Sequence, residues 1–195
     1  MQKIVQKEYD TKAIKICKLQ LKVIKKLLQE KNSIENVYDK MPVGKQVLTT
    51  PATTPENIYA KNWLAQPYTP KTFLPGDPEF YTTTGQRVRS KSEIIIATIL
   101  EKLHIPYRYE FPLQIDPRTM HPDFYCLNTK THKEFIWEHF GMMDNPDYAE
   151  NFVQKMQTYN NNNYYLGKNL IVTFESKNFP LNPKMVERLL KNYLA

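Results

Sequence analysis

HPDFYCLNTKTHKEFIWEHF, residues 121–140, decides how this chain is read. It contains two strand-like runs, Asp123 to Asn128 and Glu134 to Phe140, both rich in aromatic residues. Each run carries an acid. A carboxylate set in an apolar strand costs desolvation energy unless a partner compensates it, so acids in two such runs point to a metal or to catalysis. Side chains alternate along a strand, which puts Glu138 on a face with Ile136 and Phe140, and Trp137 and His139 on the other. Asp123 opens its strand directly after Pro122. If the two strands are neighbours, Asp123 and Glu138 bring oxygens to one hard cation, Mg²⁺ or Mn²⁺. Taken singly, either acid reads more simply as a satisfied or edge residue; the joint pattern carries the expectation.

The pattern stays orderly on both sides of this stretch. Ser90 or Ser92 can start a helix that runs through Leu103 and stops ahead of Ile105-Pro106, with Ile94, Ile95, Ala97, Ile99 and Leu100 inside it. Glu93, the third acid, sits in its first turn. Tyr107 to Ile115 reads as one strand. Downstream, a helix begins near Asn145-Pro146 and runs to Tyr159, and Asn169 to Glu175 is a strongly apolar strand. Asn182-Pro183 opens a terminal helix ending near Leu194, with proline in its first turn. The resulting order is helix, three strands, helix, strand, helix: an α/β domain over residues 81–195.

Upstream, residues 41–80 hold seven prolines and read as a wrapping segment with short helices, one of them Asn57 to Ala65 anchored by Trp63 and Leu64. Residues 1–40 form a basic helical arm. Nine lysines against three acids lie in residues 1–31, most of the net charge of +7. Ile14, Cys17, Leu21, Ile24 and Leu28 recur at steps of three and four, the seam of an amphipathic helix. Lys15, Lys18, Lys22 and Lys25 follow the same steps beside it. Such a helix packs its seam on the domain or on a twin, or lays its lysine row on phosphates; a membrane-surface role is the remaining reading.

Composition bounds the class. A 195-residue chain with 41% hydrophobic and 12% aromatic residues can build a real core. No run approaches a membrane span and the N-terminus lacks a secretory pattern, so the expected location is the cytoplasm. Cys17 and Cys126 offer neither a disulfide framework nor zinc-site spacing, and His104, His121, His132 and His139 show no paired metal spacing.

Helix-borne Glu93, His121-Pro122-Asp123-Phe124 and Ile136-Trp137-Glu138-His139 together resemble the PD-(D/E)XK nuclease superfamily, with its restriction-endonuclease-like core. More narrowly, GQRVRSKSEIIIATIL, IPYRYEFPL, PDFYCLN and WEHFGMMDNPDYAENFVQKMQTY are similar to small, mostly uncharacterised bacterial and phage proteins of that superfamily. The likeness covers about Met41 to Leu194. It implies a mixed sheet and metal-dependent hydrolysis of a phosphodiester, with Asp123, Glu138 and the backbone carbonyl of His139 holding Mg²⁺ or Mn²⁺ and Glu93 supporting the site. The motif asks for lysine two residues after Glu138, where this chain has Phe140. Some members shift that lysine to the following helix, and Lys155 is the candidate here: Phe152, Lys155 and Tyr159 share one helical face. Lys155 to Tyr159, KMQTY, also looks like the QxxxY element of RecB-type nucleases, with lysine in the glutamine position. His139 is a second candidate, though alternation aims it away from Glu138. As an ordinary solvated lysine, Lys155 has a bland reading too.

Arg87, Arg89 and Lys91 precede Glu93 and either contact phosphate or balance its charge. Tyr159 and other tyrosines are candidates for stacking on bases. The expectation is a Mg²⁺-dependent DNA nuclease of phage defence, mobile-element or DNA-repair biology. Its alternative is an inactive nuclease-like module that binds nucleic acid or a protein partner. The N-terminal helix is the candidate surface for a homodimer or partner.

Overall fold

The structure is a computed structural model that describes residues 2–29 and 34–194, with side chains from 5–27 and 37–194. The chain divides into two compact units, Met1–Pro55 and Glu56–Ala195, so the boundary falls inside the proline-rich segment. The first unit holds α1 (Gln2–Gln29), α2 (Ile34–Asp39) and α3 (Val43–Gln46). Along α1 the expected seam residues Ile14, Cys17, Leu21 and Ile24 are all exposed, as is the lysine row; the Leu28 side chain lies outside the described residues. Of the described residues, no helix is long and apolar enough to cross a membrane.

The second unit is a mixed α/β domain. Its elements are α4 (Glu56–Leu64), β1 (Phe80–Tyr81), β2 (Arg87–Val88), α5 (Lys91–Lys102), β3 (Tyr107–Tyr109), β4 (Leu113–Ile115), β5 (Arg118–Met120), β6 (Phe124–Asn128), β7 (Lys133–Phe140), α6 (Pro146–Asn161), β8 (Leu170–Phe174) and α7 (Pro183–Tyr193). The main sheet runs β3-β6-β7-β8; β3, β6 and β7 pair antiparallel and β8 joins β7 in parallel. A parallel partner needs a crossover, and α6 supplies it.

Alternation along the strands fills a core on each face. Phe124, Cys126, Phe135, Trp137 and Ile171 pack with α5 and α7, while Tyr125, Leu127, Ile136 and Leu170 pack with Met156 and Tyr159 of α6 and with Trp63 of α4. Every residue of β6 is buried, as a strand covered on both faces must be. Helix starts follow the sequence signals: Ser90, Asn145 and Asn182 cap α5, α6 and α7 with side-chain oxygens. The proline-rich stretch after Pro55 does line the domain. Trp63 donates from its indole to Glu134 Oε1 at 2.6 Å, Tyr59 stacks on His132, and Phe73 lies under the guanidinium groups of Arg87 and Arg89.

One expected strand is corrected. Tyr107 to Ile115 is not continuous: Glu110 adopts φ 49°, in the left-handed region where a strand cannot continue, and the chain leaves the main sheet there. Its second half becomes β4, which pairs with β5 in a separate hairpin, Leu113 opposite Met120 and Ile115 opposite Arg118.

Candidate active site

The acids gather at one end of the main sheet, where β6 begins and its antiparallel neighbour β7 ends. Phe124 pairs with Trp137, so the next position on each strand brings Asp123 beside Glu138. One pair further, the same register sets Pro122 against His139. Proline has no N–H, so the ladder cannot continue through it. Within β7, the Ile136 N–H donates to the Asn169 carbonyl and the Phe140 carbonyl accepts from the Glu175 N–H, both on the β8 side, which turns the N–H and C=O of His139 toward β6. There the His139 N–H donates to Asp123 Oδ2 at 2.6 Å. The His139 carbonyl faces the same gap, and the residue across from it has no donor to give. Pro122 thus gives no backbone donor to an oxygen beside two carboxylates.

Glu138 is 1% exposed and points to the α6 face, as alternation requires. Two residues one turn apart on α6 grip it. Lys155 Nζ lies 2.7 Å from Oε2, and the Tyr159 hydroxyl donates to Oε1. Burial pushes the Glu138 carboxyl above its ordinary pKa while Lys155 opposes that rise. Burial, then the neighbouring Glu138, also raises the Asp123 carboxyl well above its usual range against the pull of Lys155. For Lys155, burial works against the charge, but attraction to Glu138 and Asp123 outweighs it and its pKa is raised. The lysine is a charged partner here, not a solvated surface residue.

Phe140, at the expected lysine position, is 4% exposed and packs edge-on to Phe152 of α6 with ring centres 4.7 Å apart, and near Phe174 of β8. An ammonium at that position would lose these contacts. The Lys155 ammonium instead sits 5.7 Å from the Phe140 ring centre, so one helix supplies both the apolar cover and the charge.

Glu93 has another occupation. Ser90 Oγ accepts from its N–H, and its own carboxylate accepts from Ser90 Oγ, the Arg89 N–H and the Tyr109 hydroxyl at 2.7–3.0 Å. This is a close relative of the capping box, in which the first-turn Glu secures the backbone just ahead of the helix. Its charge still raises the Asp123 and Glu138 pKa values, so it belongs to the same electrostatic cluster.

The side chain of His139 lies on the opposite face, as strand alternation requires. Its Nδ1 is 3.0 Å from Thr173 Oγ1, and its Nε2 is 3.2 Å from Glu175 Oε1, close enough for an ion pair but misaligned for a hydrogen bond. Ser92 Oγ and the Leu181 N–H also donate to Glu175. This network, absent from the sequence reading, braces the β7 main chain from behind.

The expected nucleic-acid contacts divide. Arg89 is committed to Glu110, Asp77 and the carbonyls of Lys71 and Thr72, and Arg87 to the carbonyls of Asp77 and Pro78, so both serve the loop ahead of α5. Tyr159 is 0% exposed, so its ring is closed to base stacking and its role is to hold Glu138. Lys91 is exposed beside the helix cap, and Lys15, Lys18, Lys22 and Lys25 are exposed on α1.

No known family's sequence model matches the chain, and no solved structure matches it. The chain is similar to an uncharacterised protein of Methanocaldococcus jannaschii, 27% identical over 124 residues. That match takes in 57% of this chain and spans about a tenth of the archaeal protein's length.

Proposed function

We propose that the second unit is a restriction-endonuclease-like domain of the PD-(D/E)XK superfamily, acting as a Mg²⁺- or Mn²⁺-dependent nuclease on DNA. The observation that carries this reading is Lys155: its ammonium reaches the buried Glu138 from α6 while Asp123 is held alongside by the His139 N–H. The donor set fits a hard divalent cation. Asp123, Glu138 and the His139 carbonyl would hold it, all of them oxygens, with one Asp123 oxygen accepting no bond among the described residues. Such a cation would neutralise phosphate charge and acidify a water.

The side chains divide the remaining work. Tyr159 fixes Glu138 through Oε1, and the His139 N–H fixes the Asp123 rotamer. Lys155 Nζ carries three protons and donates one to Glu138, leaving donors for a water or for a non-bridging phosphate oxygen. Its charge is present before substrate arrives, so little reorganisation accompanies charge build-up on the phosphate.

The test is incubation of plasmid and single-stranded DNA with the protein in Mg²⁺ or Mn²⁺. Nicking or degradation by the wild type, lost in Asp123→Ala and Glu138→Ala, is expected; persistent inactivity, or activity unchanged in both variants, sinks the reading. Phe140 motivates a second reading, an inactive module that binds nucleic acid or a partner. It predicts salt-sensitive DNA binding that survives loss of Asp123, without cleavage.

A further inference from the structure

Beside the acid pair, the β4–β5 hairpin and α6 enclose a groove of about 390 Å³ lined by Arg118, Thr119, Met120, His121, Asn151, Gln154 and Lys155. Two features of its lining decide what it suits. No carboxylate lines it, although it adjoins the buried Glu138 and the half-buried Asp123, and its side chains are almost all hydrogen-bond donors: a guanidinium, an ammonium, two amides, a hydroxyl and an imidazole. The second feature is Arg118. It is exposed and has no hydrogen-bond or ion-pair partner among the described residues, a state it shares with Arg188 of α7, whereas Arg87, Arg89 and Arg108 are all tied to protein oxygens. A planar fork of five donors held open at the groove wall matches phosphate geometry.

Placement gives the groove a direction. Gln154 and Lys155 lie three and four residues after Asn151 on α6, one turn on along the same face, and the last member is the lysine already at Glu138. On the opposite wall the chain runs from Arg118 in β5 through His121 to Asp123, five residues from the outer arginine to the acid. A polyanion entering at Arg118 is led to Lys155 and the acid pair.

We infer that this groove is the substrate track: it seats the phosphodiester backbone of one nucleic-acid strand, with Arg118 binding a phosphate outside the one at Lys155. Arg118 is a binding residue and takes no part in bond breaking. This assignment rests on the nuclease reading of the adjoining site and adds to it the residues that deliver the strand. It also gives the β4–β5 hairpin, which leaves the main sheet at Glu110, a role that the expected continuous strand could not fill.

The experiment is fluorescence-anisotropy titration of 5′-labelled 20-nucleotide DNA and RNA of matched sequence, in Ca²⁺, across a range of salt. It uses the full chain with Lys15, Lys18, Lys22 and Lys25 changed to Gln, which removes the competing row on α1. Arg118→Ala is expected to weaken binding about fivefold or more and to reduce the slope of log affinity against log salt by about 0.7 to 0.9, one lost phosphate contact. Arg118→Lys keeps most of both. Arg188→Ala, which removes the same charge from α7 on the other face of the sheet, leaves both unchanged. The nucleic acid whose affinity depends on Arg118 is the one the groove takes. The inference is overturned if Arg118→Ala binds both nucleic acids like its parent, or if Arg188→Ala costs as much. Normal cleavage by the wild type alongside that result leaves the nuclease reading standing; a wild type that neither binds nor cleaves removes both.

Discussion

At Glu138 a buried charge has Lys155 as its one bonded cation among the described residues. Removing one member of such a pair leaves the other unpaired in low dielectric, which costs about 3–5 kcal/mol in comparable sites. Lys155→Met should therefore unfold at markedly lower denaturant than wild type at neutral pH, and adding Glu138→Gln should restore much of the loss, a coupling that a double-mutant cycle reads directly. Asp123 accepts from the neutral His139 N–H and from no cation among the described residues. Its folded-state pKa is raised, so its ionised form costs stability above that pKa and the cost disappears below the unfolded value. Stability falls as pH rises between the two. Asp123→Asn, which keeps an oxygen for the His139 N–H, should raise the melting temperature at about pH 8 and have little effect at about pH 4, while abolishing metal-dependent cleavage. A variant no more stable than wild type at the higher pH would contradict this electrostatic account.

Among the elements, β6, β7 and α6 carry the site and α5 adjoins it, and they were legible to different degrees. Ser90 or Ser92, Asn145-Pro146 and Asn182-Pro183 announced three helix starts because capping is a local interaction between a side chain and the next few backbone N–H groups. Alternation in residues 134–140 put Glu138 on one face with Ile136 and Phe140, the face that α6 covers, because this part of β7 is buried on both sides and a register slip would exchange the faces. The break was signalled only by Pro112, which lies between β3 and β4 and argues against one continuous strand, whereas the left-handed turn at Glu110 that carries it out has no mark in the sequence. Nor were the occupations of Glu93, Arg89 and Tyr159 legible, since their partners at Tyr109, Glu110 and Glu138 are set by tertiary contacts. The capping signal S-x-x-E over Ser90–Glu93 could have revealed the first of these. Ser90→Ala should destabilise the domain by about 1 kcal/mol or somewhat more, because it removes the cap and a donor to Glu93. Chemical denaturation checks it. Phe140→Lys should not rescue Lys155→Ala: it discards buried aromatic packing worth about 3 kcal/mol and adds a charge among Phe152 and Phe174. Recovery of cleavage in that double variant would refute the view that the aromatic packing at Phe140 excludes an ammonium there.

For the whole molecule, the two units make separate expectations. Residues 56–195 contain both faces of the core and every residue of the acid site, so this segment should fold cooperatively by itself and retain cleavage. A molten product, without near-ultraviolet circular dichroism, would show that residues 1–55 complete the core. The exposed lysine row of α1 should then appear as a difference in salt-dependent affinity between the full chain and the segment. The central claim rests on Lys155 serving a metal-dependent site, and the most direct measurement is single-turnover cleavage of labelled DNA in Mn²⁺ by wild type and Lys155→Met at a temperature where both are folded. The account predicts cleavage by the wild type and a loss of about a hundredfold or more in the variant, with Mn²⁺ binding retained; no cleavage by the wild type, or equal rates in the two proteins, would contradict it.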